Sequence, residues 1–353
     1  MAVQSEIMID EHTIGQDAPV FVIAEAGVNH NGSMELACQL IREARQAGAD
    51  CVKFQTFRSD RVVSSDAPKA SYQLKVTDQT ESQLDMLKKL ELKEEHYGDL
   101  LEVCREEEIL FSSTPYNEED IAFLDSLDIP LFKAASIHCA EPRFLQKMAE
   151  TGRAIILSTG MANWEDVDQA VSAIRSTGNE NFVVLQCTTD YPSAVADVNL
   201  RTMEAMRKRY DCLVGYSDHT QSHAPCVASV ALGARVIERH FTLDQNLPGP
   251  DHTCSDTPEM FTSLVGMIRD VEQALGSAEK RPTEAEQRNM TGMRRSIVAR
   301  RDIAVGSMVA EEDLICKRPA TGLKPNQWSK IVGRRAARPV AAGSQLSWDD
   351  LDG

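Results

Sequence analysis

The sequence lacks the features by which membrane, nucleic-acid-binding and disulfide-stabilised proteins are recognised. No apolar run approaches the roughly 20 residues of a membrane-spanning helix, and the first residues combine no basic stretch with an apolar one. Positive charge is also scarce, because 37 Lys and Arg stand against 54 Asp and Glu, a net charge of −17. We therefore expect no membrane, no secretion signal and no nucleic acid as a partner, although a few cations in a cleft can still bind an anionic substrate.

Cysteine usage excludes a further class. Nine cysteines occur, an odd number, and no two are spaced C-x-x-C. This disfavours a disulfide framework or a zinc knuckle, so we expect reduced thiols and a cytoplasmic protein. What the 353 residues do contain is 42% apolar side chains, enough to build the core of one large domain plus a small one.

Eight short apolar runs alternate with segments of helical periodicity. The runs are residues 20–24, 51–52, 109–111, 131–132, 154–157, 182–185, 213–214 and 235–237. Helices are predicted to begin after the capping residues Ser33, Asn117 and Asn163. Eight strand–helix repeats over roughly 250 residues predict a (β/α)8 TIM barrel. The alternative is a doubly wound open sheet, but its G-x-G-x-x-G turn is poorly matched by AEAGVNHNG.

The pattern divides the chain into a barrel domain over residues 1–276, a linker over 277–292 and a small domain over 293–353. The last part holds an internal repeat, in which residues 303–314 match residues 340–351, and this predicts a compact pseudo-two-fold unit. After the second strand, residues 58–92 form a long insertion. We expect it to shape the substrate pocket, with a plain surface decoration as the alternative.

Each apolar run ends on polar residues, and in a parallel barrel these ends meet at the face where chemistry is done. His219 and His240 end adjacent strands, with Asp218, Glu238 and Asp251 nearby in the sequence. Neutral imidazoles bind divalent transition metals, so the pair predicts an open metal site. The alternative is a pair of hydrogen-bonded core histidines.

Two lysines and three serines form a second group of strand-end residues. Lys53 and Lys133, with Ser136, Ser158 and Ser217, suit a phosphate or carboxylate. Glu25 ends the first strand and suits an acid, a base or a hydroxyl anchor. A Schiff-base aldolase using Lys53 or Lys133 is an alternative, ranked lower because it leaves the two histidines without a role.

Several segments, in order, closely resemble the sialic acid synthase family of N-acetylneuraminate, legionaminic and pseudaminic acid synthases. They are IAEAGVNHNG, VKFQTF, FSSTPY, LSTGM, QCTTDYP, GYSDHT, ERHFTLD and GPDH, followed by RRSIVARRDI and KRPATGL. The C-terminal part resembles the antifreeze-like (SAF) domain of that family. The resemblance implies a metal-dependent condensation of phosphoenolpyruvate with an N-acetylmannosamine-like aldose, with addition of water and release of phosphate.

The resemblance also implies a role for each site residue. His219 and His240 are expected to bind the metal, Mn²⁺ first with Mg²⁺ or Co²⁺ as alternatives. Phosphoenolpyruvate binding is expected from Lys53, Lys133, Ser136, Ser158 and Ser217, sugar binding from Gln55, Tyr191, Asp251 and Arg318, and catalysis from Glu25 and His138. Arg318 resembles an arginine that one subunit lends to the other, which implies a domain-swapped homodimer. The acceptor is either N-acetylmannosamine or a 2,4-diacetamido-6-deoxy analogue, as in legionaminic or pseudaminic acid synthases.

One position departs from the family pattern. The family reads K-x-x-S-x-E or D where this chain reads Lys133-Ala-Ala-Ser136-Ile-His138, so a histidine replaces a carboxylate. We expect His138 to take over part of the catalytic role. The alternative is a catalytically degenerate homologue that binds a sugar or phosphate without turnover.

Overall fold

The protein divides into two compact units, Met1–Gly276 and Ser277–Gly353. A computed structural model describes residues 6–70 and 73–352 of them. In the described part of the chain, no helix is both long and apolar enough to cross a membrane.

The first unit is a closed barrel of eight parallel strands, which confirms the predicted (β/α)8 fold and excludes the open sheet. A hairpin of β1 (Glu6–Ile9) and β2 (His12–Gly15) precedes it. The barrel strands are β3 (Phe21–Gly27), β4 (Cys51–Thr56), β5 (Leu110–Pro115), β6 (Leu131–Ala134), β7 (Ala154–Ser158), β8 (Phe182–Cys187), β9 (Leu213–Asp218) and β10 (Val236–His240). The barrel closes where β10 pairs with β3.

Helices connect the strands around the outside of the barrel. They are α1 (Met34–Gln46), α2 (Ser59–Val62), α3 (Gln73–Val76), α4 (Gln83–Lys88), α5 (Tyr97–Glu106), α6 (Glu118–Ser126), α7 (Pro142–Glu150), α8 (Trp164–Ser176), α9 (Arg201–Tyr210), α10 (Ala224–Ala231) and α11 (Pro258–Leu275). Ser33, Asn117 and Asn163 are the N-cap residues of α1, α6 and α8, as predicted.

The side chains that point into the barrel are apolar at one end of the strands and polar at the other. On β10, Val236 belongs to an interior apolar cluster, Ile237 packs outward in the core between strands and helices, and Glu238 and His240 again share the interior face. The cluster also contains Ile7, Ile9 and Ile14 of the β1–β2 hairpin, at the amino-terminal end of the strands. Apolar residues therefore fill one end of the barrel, and polar residues face inward at the other.

The insertion over residues 58–92 contains α2, α3 and α4, and its residues 71 and 72 lie outside the described part. The buried Lys69 ammonium donates to Thr77 Oγ1 at 3.0 Å and to the Asp78 carbonyl at 2.7 Å, which ties two parts of the insertion together. A small apolar cluster of Val28, Phe57 and Leu90 joins the insertion to the barrel.

The second unit contains α12 (Glu284–Met293), β11 (Ser296–Ala299), β12 (Leu314–Lys317) and α13 (Trp328–Ile331), with β11 and β12 antiparallel. The two repeat copies pair with each other, since Ile303 and Val340 exchange backbone hydrogen bonds of 2.8 and 2.9 Å. The predicted linker over 277–292 is wrong in one respect, because most of it is α12. A reciprocal cap explains this helix: Thr283 Oγ1 accepts from the Glu286 backbone, and the Glu286 carboxylate accepts from the Thr283 backbone.

Candidate active site

A cavity of about 300 Å³ opens at the carboxyl ends of the barrel strands. It brings together the predicted site residues of the barrel except His138, namely Glu25, Lys53, Gln55, Lys133, Ser136, Ser158, Tyr191, Ser217, His219, His240 and Asp251. Thr114, Tyr116, Cys187, Thr189 and Glu238 line it as well. The strand-end rule therefore identified the location of the cavity and most of its polar lining.

A buried ion cluster forms the floor of this cavity. Lys53 Nζ lies 2.6 Å from Glu25 Oε2 and 4.0 Å from Glu238 Oε2, and Lys133 Nζ lies 3.4 Å from Glu238 Oε1. All four side chains are at most 5% exposed. Two ammonium groups thus share two carboxylates, and Glu238 bridges the two lysines.

Burial and mutual attraction shift the pKa values within the ion cluster. Burial, only partly offset by Lys53, raises the pKa of Glu25, whereas for Glu238 the attraction of Lys133 and Lys53 outweighs burial and lowers the pKa. Burial lowers the pKa of Lys133, while Glu238 and Glu25 together overcome burial and raise the pKa of Lys53. Glu238 is therefore the more strongly ionised carboxylate, and it holds the charge of both lysines.

Three serine hydroxyls line the same cavity as the lysines. Lys133 Nζ donates to Ser158 Oγ at 2.7 Å, and Ser217 Oγ donates to Glu238 Oε1 at 3.1 Å. Ser136 Oγ accepts from the Gly160 backbone at 3.0 Å. A Cβ at position 160 would lie 2.7 Å from that hydroxyl, so only glycine permits this approach. Ammonium and hydroxyl donors of this kind suit an anionic oxygen ligand.

The two histidines lie side by side next to the ion cluster, with ring centroids 5.2 Å apart. His219 Nδ1 lies 2.7 Å from the Thr188 carbonyl, which assigns a proton to that nitrogen. Although burial lowers the pKa of His219, Cys187 and the Thr188 carbonyl outweigh burial and raise it. Burial and the neighbouring His219 lower the pKa of His240, and its buried Nδ1 has no hydrogen-bond partner.

This donor set fits a divalent cation bound at an open site. The imidazoles of His219 and His240 offer nitrogen ligands, and the unpartnered His240 nitrogen is a buried acceptor that a cation would satisfy. Within residues 6–70 and 73–352 no group of three or more His, Cys, Asp or Glu is arranged around a metal position. The remaining coordination positions would therefore belong to water or substrate, as in catalytic rather than structural sites.

A fully buried ionic network holds the histidine strands from behind. Arg239, which points outward between Glu238 and His240, donates to Asp218 at 2.7 Å and to Asp256 at 2.9 Å. The Asp256 backbone also donates to the His240 carbonyl at 2.8 Å. Breaking a buried pair of this kind is strongly destabilising, so the network stabilises the ends of β9 and β10.

Gln55, Tyr191 and Asp251 line the side of the cavity above the ion cluster. Gln55 Nε2 donates to Glu25 Oε1 at 3.1 Å, and Tyr116 OH donates to Gln55 Oε1 at 3.0 Å. The Tyr191 ring lies 4.2 Å from the His219 ring. Burial, with the neighbouring Glu25 adding to it, raises the pKa of Asp251 to about 7. Amide, phenol and carboxyl groups are suited to bind sugar hydroxyl and acetamido groups.

His138 is not among the side chains that line the cavity, so the structure does not support its predicted catalytic role. It belongs to a short 3-10 helix, Ser136–Ala140, in which successive residues point about 120° apart. Ser136 and Ile137 face the cavity, whereas the His138 ring is buried and stacks on Phe144 at 4.1 Å. Its Nδ1 contacts Glu141 at 3.2 Å, and burial lowers its pKa.

Arg318 lies in the second unit, so its sugar-binding role stays a prediction. The side chain is exposed, and its Nε donates to the Met293 carbonyl at 3.0 Å. Among the cavity residues, sequence reasoning missed the bridging position of Glu238. The signal was its spacing, because Glu238 and His240 are two residues apart on one strand and must share a face.

Comparison with known proteins identifies the family and agrees with the fold. The chain matches the NeuB family over residues 40–280 and the SAF domain over residues 294–352. It is 41% identical over 342 residues to N,N'-diacetyllegionaminic acid synthase of Legionella pneumophila, covering 96% of each chain. It is 34% identical over 341 residues to N-acetylneuraminate-9-phosphate synthase of Homo sapiens, covering 96% of this chain and 94% of the relative.

Solved structures give the same result. N-acetylneuraminic acid (sialic acid) synthetase from Leptospira borgpetersenii superposes with a TM-score of 0.74 at 30% identity, over 82% of this chain and 96% of that one. A spore coat polysaccharide biosynthesis protein from Bacillus subtilis superposes with a TM-score of 0.67 at 32% identity, over 99% of both chains. The resemblance seen in the sequence is therefore confirmed: the chain belongs to the NeuB family and carries a C-terminal SAF domain.

Proposed function

We propose that this protein is a nonulosonic (sialic-type) acid synthase. It condenses phosphoenolpyruvate with an N-acetylmannosamine-like aldose and water, and it releases a nine-carbon 2-keto sugar acid and inorganic phosphate. The observation that carries the proposal is a single cavity in which a lysine–serine group adjoins two imidazoles, within a chain of the NeuB family. The first group suits a phosphate, and the second suits a cation that activates an aldehyde.

In this proposal Lys53, Lys133, Ser136, Ser158 and Ser217 bind phosphoenolpyruvate. In the substrate-free protein, Glu25 and Glu238 hold the buried lysines in place. The ammonium groups have therefore already lost their water when the phosphoryl and carboxylate oxygens of phosphoenolpyruvate bind to them. Preformed donors of this kind require little reorganisation when charge develops on the leaving phosphate. Lysine ion pairs thus position the substrate and stabilise its departing group.

His219 and His240 would hold a divalent ion, Mn²⁺ with Mg²⁺ or Co²⁺ as alternatives, which when bound polarises the sugar aldehyde. The bonds that form and break follow from the substrates and products. C3 of phosphoenolpyruvate bonds to C1 of the sugar, water bonds to C2, and the C2–O bond to phosphate breaks. One water proton ends on the new C1 hydroxyl, and the other leaves with phosphate.

Glu25 is the residue we place at the reacting carbons. Its carboxylate lines the cavity and contacts Lys53 and Gln55. A negative charge at this position stabilises the positive character that develops at C2 of phosphoenolpyruvate. Its raised pKa also suits it to accept a proton from the attacking water. Gln55, Tyr191 and Asp251 bind the sugar in this scheme.

We further propose that the protein acts in the cytoplasm as a homodimer, in which Arg318 of one copy reaches the sugar site of the other. The exposed Arg318 side chain in the second unit supports its proposed reach to another copy. The odd number of cysteines without C-x-x-C spacing supports the proposed cytoplasmic location.

Phosphate release is the direct test of the proposed function. With phosphoenolpyruvate, Mn²⁺ and an N-acetylated mannose-type sugar, we expect phosphate to appear only when all three are present and to stop when the ion is chelated. The assay measures inorganic phosphate. His240→Ala is the control variant, in which we expect no phosphate release and weaker Mn²⁺ binding by calorimetry. Sugar binding without any phosphate release would favour a degenerate homologue, and borohydride trapping of either lysine would favour an aldolase.

The His138→Glu substitution tests whether this histidine does catalytic work. Because the ring is buried beside Glu141 and stacked on Phe144, a carboxylate there is expected to cost about 3 kcal/mol or more of stability. We expect the wild type to turn over and His138→Glu to unfold at a lower temperature with no gain in kcat. The isosteric His138→Gln serves as the control. A gain of phosphate release in His138→Glu from an inactive wild type would overturn the active-enzyme proposal.

The raised pKa of Asp251 predicts a pH-dependent stability of the substrate-free protein. Between its ordinary value of 3.8 and about 7, the folded carboxyl keeps a proton that the unfolded one releases, so this contribution to stability is lost as pH rises. Asp251→Asn should therefore unfold a few degrees above wild type at pH 8.5, and the gap should narrow at pH 5.5. The exposed Asp66→Asn is the matched control. An equal gap at both pH values would contradict the assignment.

A further inference from the structure

The cavity has two chemically different sides. Its charged lining residues come from strand ends or, for Asp251, from the loop after β10. The residues that the insertion contributes carry no charge: they are Val62, Val63, Gln73, Gln83, Leu87 and Leu90, here called the insertion wall. An ionic floor therefore faces a wall of aliphatic and amide groups.

The insertion wall is held in place by packing and hydrogen bonds. Val62 and Leu87 pack against the cluster of Val28, Phe57 and Leu90. Gln83 Nε2 donates to Gln73 Oε1 at 3.2 Å, and that oxygen also accepts from the Ala70 backbone at 2.9 Å. A carboxamide has two N–H donors and one acceptor oxygen, so this bond uses one of the three groups of Gln83.

The proposed reaction places one end of the sugar at the floor. With C1 beside the imidazoles and lysines, we take C4 to C6 to extend past Gln55, Tyr191 and Asp251 toward the insertion wall. Hydroxyl or phosphate groups placed against aliphatic side chains lose water without gaining partners, which weakens binding. A methyl group gains from the same contact, and an acetamido group can exchange hydrogen bonds with a glutamine amide.

We propose that the insertion wall is the specificity determinant for the acceptor, and that it selects a sugar with a second acetamido group at C4 and a methyl group at C6. The aliphatic members contact the methyl groups, and Gln83 binds the C4 acetamido group. This inference rests on the proposed function, since it takes C1 to react at the floor. The proposal therefore predicts weaker binding of N-acetylmannosamine than of the diacetamido sugar, and the weakest binding for N-acetylmannosamine 6-phosphate.

The test compares three acceptors: 2,4-diacetamido-2,4,6-trideoxymannose, N-acetylmannosamine and N-acetylmannosamine 6-phosphate. For each, kcat/KM from phosphate release and sugar affinity from calorimetry are measured. In wild type we expect the diacetamido sugar to exceed N-acetylmannosamine by about tenfold or more, the range that one lost apolar or hydrogen-bonded contact gives. Gln83→Leu and Val62→Ser should each lower that ratio about tenfold and leave the KM for phosphoenolpyruvate unchanged.

Leu74→Ser is the matched control, because Leu74 is an exposed apolar residue of the same insertion that does not line the cavity. It should keep the wild-type ratio. A wild-type preference for N-acetylmannosamine or its 6-phosphate, or a ratio unchanged in both wall variants, would overturn the proposal. If no sugar releases phosphate, the proposed function fails, while the affinity ratios still decide the role of the insertion wall.

Discussion

The pairing of two lysines with two glutamates inside the barrel is the interaction on which the site depends. Burying charged groups is expensive unless each is paired, and here Glu238 lies 3.4 Å from Lys133 and 4.0 Å from Lys53, while Glu25 lies 2.6 Å from Lys53. That pairing requires strands β4, β6 and β10 to direct their side chains to one point, which only a closed barrel achieves. The interior apolar layer beneath excludes water from the other end.

The same pairing explains how the floor can accept an anion in a protein with a strong negative charge. The net charge of −17 belongs to the chain as a whole, whereas on the floor two ammonium groups balance the two carboxylates of Glu25 and Glu238, and the Ser158 hydroxyl lies 2.7 Å from Lys133. Next to it, the imidazoles of His219 and His240 form the proposed cation half of the site, held from behind by Arg239 and its two aspartates. The proposed anion and cation sites thus adjoin within one cavity, which the uncharged insertion wall also lines.

Much of this arrangement could be predicted from the sequence, because strand periodicity and the strand-end rule are local signals. They located Lys53, Lys133, His219 and His240 at one face. Convergence on Glu238 is a product of barrel closure, which no local pattern encodes. His138 does not line the cavity, because one residue of a 3-10 helix turns its side chain by about 120° from that of Ile137. The helix in the predicted linker had a visible capping pair, Thr283 and Glu286, that its polar composition obscured.

Calorimetric titration of phosphoenolpyruvate into wild type and Lys133→Met, at a fixed Mn²⁺ concentration, tests the role of the ion cluster most directly. Removing one member of a buried charge pair typically costs roughly 2–5 kcal/mol. We therefore predict a fall in affinity of about thirtyfold or more for Lys133→Met, and none for the exposed Lys280→Met. An unchanged affinity in a folded Lys133→Met variant would contradict the proposal that the buried lysine–glutamate cluster is the phosphoenolpyruvate site.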